Sequence, residues 1–199
     1  MTLARPCSSP VPMSASRAVP DRFRTKCLAE VIDDERLVVA RNGSRRKVTL
    51  EGLREVLVGE SPDGVCWTVR AGPDSDGGFY TWIRRSHGSA ISESGLGGEV
   101  LPPGQLINFW IGQADGTPLF VMARTAPQVQ RVTVVLASGF RRDLSMSPVI
   151  ADFGLRFTAG PLPDDDPPVS MEVALEGGET RVHALRWPPP RFRPPSRAS

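Results

Sequence analysis

Histidine is nearly absent from this chain: His87 and His183 are the only two, and the three cysteines, Cys7, Cys27 and Cys66, form no C-x-x-C pair. These residues give no ligand set with zinc spacing, and no metal or other cofactor is expected. An odd cysteine count leaves at least one thiol unpaired in an oxidised monomer, so reduced thiols are the simpler expectation. Long apolar runs are also missing. No segment approaches the roughly 18 apolar residues that span a bilayer, and Met1-Thr2-Leu3-Ala4-Arg5-Pro6-Cys7 has neither a signal-peptide core nor the small residues of a lipoprotein site. A cytoplasmic protein with no membrane span is the resulting expectation. Lysine is confined to Lys26 and Lys47, so the basic residues are nearly all arginine, as the codon bias of a GC-rich genome produces. A net charge of +2 and a pI near 8.6 argue for neither nucleic acid nor an anionic membrane, so any electrostatic case must be local.

Turn formers, by contrast, are plentiful: 20 prolines and 19 glycines in 199 residues favour strands and turns over helices. The length suffices for one large domain or two small ones with a usable core. Strand alternation is clearest from Val129 to Trp187. Val132, Val134 and Leu136 fall on one side of an extended chain. Ala137-Ser138-Gly139 supplies a turn, and Leu144 and Met146 return on one face. Phe153, Leu155 and Phe157 repeat the pattern. Val169, Met171, Val173 and Leu175 oppose Ser170, Glu172, Ala174 and Glu176, one face for a core and one for water. Earlier strands are expected at Val65–Val69, at Phe79–Arg84, and as a hairpin of Leu106–Ile111 with Leu119–Ala123 around Asp115-Gly116.

Residues 1–21, rich in Pro, Ser and Ala, are expected to be a disordered leader. Residues 22–60 are expected to hold a hairpin turning at Asn42-Gly43, followed by a short helix in which Leu50, Leu53, Val56 and Leu57 recur at helical spacing up to Gly59. Val56 and Val58 would suit a strand equally well. Ser61-Pro62-Asp63-Gly64 reads as a turn and a subdomain boundary. Residues 61–187 read as an antiparallel β-sandwich of immunoglobulin-like type, and residues 188–199 as a Pro/Arg-rich disordered tail. The class is therefore mainly β. Ser86 to Gly104 is expected to be a long polar loop.

Side chains with potential chemistry are few. Ser86 and His87 place a hydroxyl beside an imidazole, but sequence neighbours seldom meet in nucleophile–base geometry and no G-x-S-x-G elbow supports them. His183 alternates with Leu185 and Trp187 and is expected to be a partly buried, hydrogen-bonded histidine. Asp74 and Asp76 begin like an acidic calcium loop, but the later ligands are missing, and an Asp/Gly turn is favoured. Asp164-Asp165-Asp166 reads as a solvated loop. Ser92 to Gly98 is Gly-rich but lacks the Lys-Ser/Thr ending and the following helix of a phosphate loop. Arg41, Arg45, Arg46 and Lys47 cluster at the first hairpin and offer charge-assisted contacts to a phosphate backbone, without the interleaved aromatics of a single-strand binder.

Ala29-Glu30-Val31-Ile32-Asp33-Asp34-Glu35-Arg36-Leu37-Val38-Val39 with Lys47-Val48-Thr49-Leu50-Glu51-Gly52 resembles the opening hairpin of staphylococcal-nuclease-like domains, over about an eighth of the chain. That resemblance implies an OB-type barrel and calcium-dependent nucleic-acid hydrolysis. The sequence departs from the family where its chemistry lies: Asp34-Glu35 replaces Gly-Asp-Thr, and Thr49 stands where an Arg would be. Residues 106–175 separately resemble uncharacterised β-rich proteins of high-GC actinobacteria, a likeness that implies no function. The leading expectation is a non-enzymatic binding or structural module with a protein partner. The alternatives are a nucleic-acid-binding or degenerate nuclease-like protein using Arg41, Arg45, Arg46 and Lys47, and a Ser/His hydrolase.

Overall fold

A computed structural model describes residues 35–39, 45–49, 52–74, 77–114 and 116–185. All of them fall within one compact unit, Val31–Ser199. Among these residues there is no helix, and every strand pair is antiparallel. The mainly β class is as expected from the sequence. The leader, the tail beyond Leu185, and the residues Cys7, Cys27, Arg41, Asp76 and Trp187 lie outside the described residues.

β1 (Glu35–Val39) and β2 (Arg45–Thr49) form the expected hairpin, with Val38 opposite Arg46 and Leu37 opposite Lys47. The expected helix is instead a strand, β3 (Arg54–Glu60). Its pairing with β4 (Val65–Pro73) slips between Glu55 and Leu57. Such a bulge resets the two-residue alternation, so Val56 is buried and the next residue, Leu57, also packs against the core. Those adjacent apolar residues are what imitated helical spacing. The turn Ser61–Gly64 is real: Gly64 N donates to Ser61 O at 3.0 Å, and Gly64 adopts a φ of 77°. Rather than separating subdomains, it joins two neighbours of one sheet.

That first sheet runs β3-β4-β5-β6, with β5 (Phe79–His87) and β6 (Ala90–Leu96) completing it. β6 occupies much of the stretch expected to be a long loop, leaving 97–106 as the connection to the next sheet. The central sheet has the order β11-β12-β8-β7 and contains β7 (Ile107–Ala114), β8 (Thr117–Thr125), β11 (Ser145–Met146) and β12 (Arg156–Pro161). The last sheet has the order β10-β9-β13-β14 and is built from β9 (Val129–Leu136), β10 (Arg141–Asp143), β13 (Pro168–Leu175) and β14 (Thr180–Ala184).

The three sheets stack as layers because β8 is apolar on both faces. Leu119, Val121 and Ala123 pack into one core with Val132, Val134, Met171 and Val173 of the last sheet. Phe120 and Met122 point the other way, into a second core with Val65, Trp67, Val69, Phe79 and Ile83 of the first sheet. A strand covered on both sides reads as a continuous apolar run rather than as alternation, and Leu119-Phe120-Val121-Met122-Ala123 is such a run. The return strand expected at Arg142–Met146 is divided between two sheets: Arg141–Asp143 pairs with β9, and Ser145–Met146 pairs with β12. The buried Leu144 marks the corner, its N donating to Val132 O at 3.0 Å. Val169, expected in the core, is 43% exposed because the β13–β9 register shifts between Pro168 and Ser170.

Candidate functional site

Two places in the stack gather charged side chains. The first is the outer face of the last sheet. Residues of β9 alternate, so with Val132 and Val134 in the core, Arg131 and Thr133 face outward. Thr133 lies opposite both Asp143 on β10 and Glu172 on β13. Its hydroxyl donates to Asp143, and the Arg131 guanidinium stands 4.0 Å from the same carboxylate. Arg141 reaches diagonally over β9 to hold Glu172 with both Nη atoms, Nη1 to Oε1 at 2.8 Å. Arg131, Thr133, Arg141 and Asp143 line an open cleft of about 250 Å³. Phe140, immediately before Arg141 at the hairpin tip, is 60% exposed. Two guanidiniums and one carboxylate line the cleft, and Arg141 is paired with a second carboxylate, Glu172, so the cleft can offer directional hydrogen bonds of both kinds with little net field.

The second place is the layer between the first and central sheets. Arg85 on β5 and Arg124 on β8 face inward and are fully buried, yet neither has a carboxylate partner among the described residues. Arg85 lies over the rings of Trp110 and Phe120 at 5.2 and 5.4 Å, and its Nη atoms donate to Gly112 O at 3.4 Å and Ser94 Oγ at 3.3 Å. Arg124 lies 5.3 Å from the Phe79 ring centroid and donates from Nη1 to Phe79 O at 3.0 Å. Ring faces attract cations electrostatically. Burial lowers both guanidinium pKa values to about 10, so both stay charged at neutral pH.

The residues singled out from the sequence are spread across the fold. Ser86 pairs with Cys66 and Ile91, and His87 with Val65 and Ala90. As consecutive strand residues they project to opposite faces of the sheet, so no Ser–His pair is formed. Asp74 accepts from Gly78 N at 2.7 Å, and its own N donates to Gly78 O at 3.0 Å, which makes it the side-chain clamp of a turn. The acidic loop is more than solvated surface. Asp164 accepts from Leu119 N at 2.7 Å, and Asp166 accepts from Ser138 N at 3.0 Å and from the Ser138 hydroxyl. His183 is partly buried opposite Met171 as expected, but its Nε2 has no hydrogen-bond partner. Arg45, Arg46 and Lys47 stand in succession on β2.

Sequence reasoning passed over Arg85 and Arg124. The available signal was that Arg124 continues the alternation Phe120, Met122, Arg124 directly out of an apolar run. Among the described residues no group of three or more His, Cys, Asp or Glu side chains is placed to hold a metal ion, and no helix is long and apolar enough to cross a membrane. No family model, curated protein or solved structure matches this chain.

Proposed function

We propose that this chain is a non-enzymatic binding or structural module, an immunoglobulin-like antiparallel sandwich with a third sheet added, that presents the outer face of β10-β9-β13 to a protein partner. The observation carrying this reading is the cleft of Arg131, Thr133, Arg141 and Asp143 beside the exposed Phe140. Arginine and aromatic side chains are enriched where protein interfaces concentrate their binding energy. The strands behind the cleft are anchored by Val132, Val134, Met171 and Val173, so the polar groups sit on a rigid support. Affinity capture from native cytosol with the full chain tests the proposal. The wild type should retain a partner that Phe140→Ala with Arg131→Glu loses at least tenfold, about 1.4 kcal/mol of binding. Equal retention by the variant would remove this face from the interface.

A second reading, nucleic-acid binding, is favoured by the succession Arg45-Arg46-Lys47 on β2. It requires oligonucleotide binding that weakens steeply with salt and falls when Arg45 and Arg46 become Ala. The third, a hydrolase at Ser86 and His87, has the opposed directions of the two side chains against it and would need reactivity toward a serine-directed probe that His87→Ala abolishes.

A further inference from the structure

Arg124 is wholly enclosed, and one edge of its guanidinium is unused. Nη1 is committed to Phe79 O, whereas Nε and Nη2 have no acceptor. These are the two nitrogens whose N–H bonds run side by side and bind a carboxylate or phosphate through parallel hydrogen bonds. The guanidinium carries donors only, so nothing on Arg124 itself can fill this need. A buried cation without a counter-charge costs several kcal/mol, and buried polar atoms in native proteins are nearly always satisfied.

The surroundings add to the deficit instead of relieving it. Asn108, directly opposite Arg124 on β7, is uncharged, and Phe157, opposite it on β12, is apolar. Thr81 lies two residues from Phe79 on the same inward face of β5, and its buried hydroxyl also lacks a partner. The connection 97–106 is tied down at both ends beside this spot. Gly98 O accepts from Phe79 N at 2.9 Å, and Leu106 O accepts from Ala126 N at 2.8 Å. Between those anchors Leu101 packs against both cores.

We propose that the Nε–Nη2 edge of Arg124 binds a small oxyanion between the first and central sheets. Carboxylates and inorganic phosphate share the required pair of acceptor oxygens, and the site is independent of the cleft on the last sheet. Arg85 provides the internal contrast. Its two Nη atoms already have acceptors, and of its three nitrogens only Nε lacks one.

The test is thermal unfolding of the full chain in sodium chloride, with formate or phosphate substituted stepwise at constant ionic strength. A ligand that binds only the folded state raises Tm in a saturable manner. The wild type should show that rise with at least one of the two probes, and the responding probe identifies the oxyanion class. Arg85→Met should keep the response and Arg124→Met should lose it. If Arg124→Met does not fold, Arg124→Lys takes its place: it keeps the charge without the paired N–H edge, and at least a tenfold loss of apparent affinity is expected. A wild-type Tm that follows ionic strength alone would mean that water satisfies Arg124 and would overturn the proposal. So would an undiminished response in Arg124→Met or Arg124→Lys.

Discussion

The central sheet is shared by two cores of different composition. Toward the last sheet, β8 contributes Leu119, Val121 and Ala123 to a core of aliphatic and methionine side chains that holds no buried arginine. Toward the first sheet, the same strand contributes Phe120, Met122 and Arg124 to a layer that contains two buried guanidiniums and an indole, Trp67, whose Nε1 lacks an acceptor. The layer toward the last sheet is closed mainly by apolar burial, at roughly 25 cal/mol per Å², and its buried hydroxyls on Thr125 and Thr158 have acceptors in Arg156 O and Ser145 O. The other layer carries desolvation penalties that ring faces and a few carbonyls offset only partly. One strand therefore divides a joint whose buried hydroxyls are paired from one with unmet hydrogen-bonding demand.

The largest expected effect comes from giving the apolar layer what its counterpart tolerates. Met171→Lys places an ammonium among Val132, Val134 and Val173 with no ring face or carbonyl arranged for it. It should cost about 3–5 kcal/mol, read as a lower denaturation midpoint in urea. A loss below 1 kcal/mol would erase the distinction between the layers. A smaller effect is expected from Gly59→Ala in the arginine-bearing layer. Trp67 lies directly across from Gly59, and an added Cβ would fall on its indole ring, 2.8 Å from Nε1. Overpacking of this kind costs about 1–3 kcal/mol; an unchanged midpoint would show that the first sheet can move away from the central one.

Outside both layers the effects should be small. Arg141→Ala removes the bridge to Glu172 that ties the edge strand β10 to β13. With the Arg141 side chain 55% exposed, the loss should lie within about 0.2–1 kcal/mol and shrink in high salt. A larger, salt-independent loss would show that the edge strand depends on this bridge. The mildest test is spectroscopic. Tyr80 is the only tyrosine of the chain, and burial, with the charge of Glu93 adding to it, pushes its pKa up to about 12. Phenolate absorbance should therefore rise with a midpoint near pH 12 in the folded protein and near 10 after unfolding. Because the folded state keeps this proton longer, its contribution to stability is complete below pH 10 and is lost as pH rises toward 12. A folded midpoint near 10 would show that Tyr80 is open to solvent.

Much of the last sheet was legible from local pattern. The alternation that puts Val132 and Val134 inside also puts Arg131 and Thr133 outside, so half of the cleft could be read directly. Its other half could not. Arg141 joins Glu172 across 31 positions of sequence, a contact created only when β10 and β13 flank β9. β3 imitates a helix in sequence because a bulge sets Val56 and Leu57 toward the same core, a spacing that a regular strand does not produce. The burial of Arg85 and Arg124 is not legible locally because a charged residue toward the end of a strand ordinarily marks solvent, and nothing local indicates that another sheet covers it.

Local sequence sets most of the strands and turns, β3 and β6 excepted, and the apolar side of those strands that alternate, such as β9 and β13. Those properties rest on two-residue alternation and on the backbone freedom of residues such as Gly64 and Gly139, and both act within a few residues of chain. Tertiary structure decided that β8 lies between two sheets, that the return strand turns a corner at Leu144, and that Arg124 is enclosed with one edge unsatisfied. These outcomes depend on long-range pairing and register, which are set by how whole apolar faces cover one another rather than by any one segment's preference.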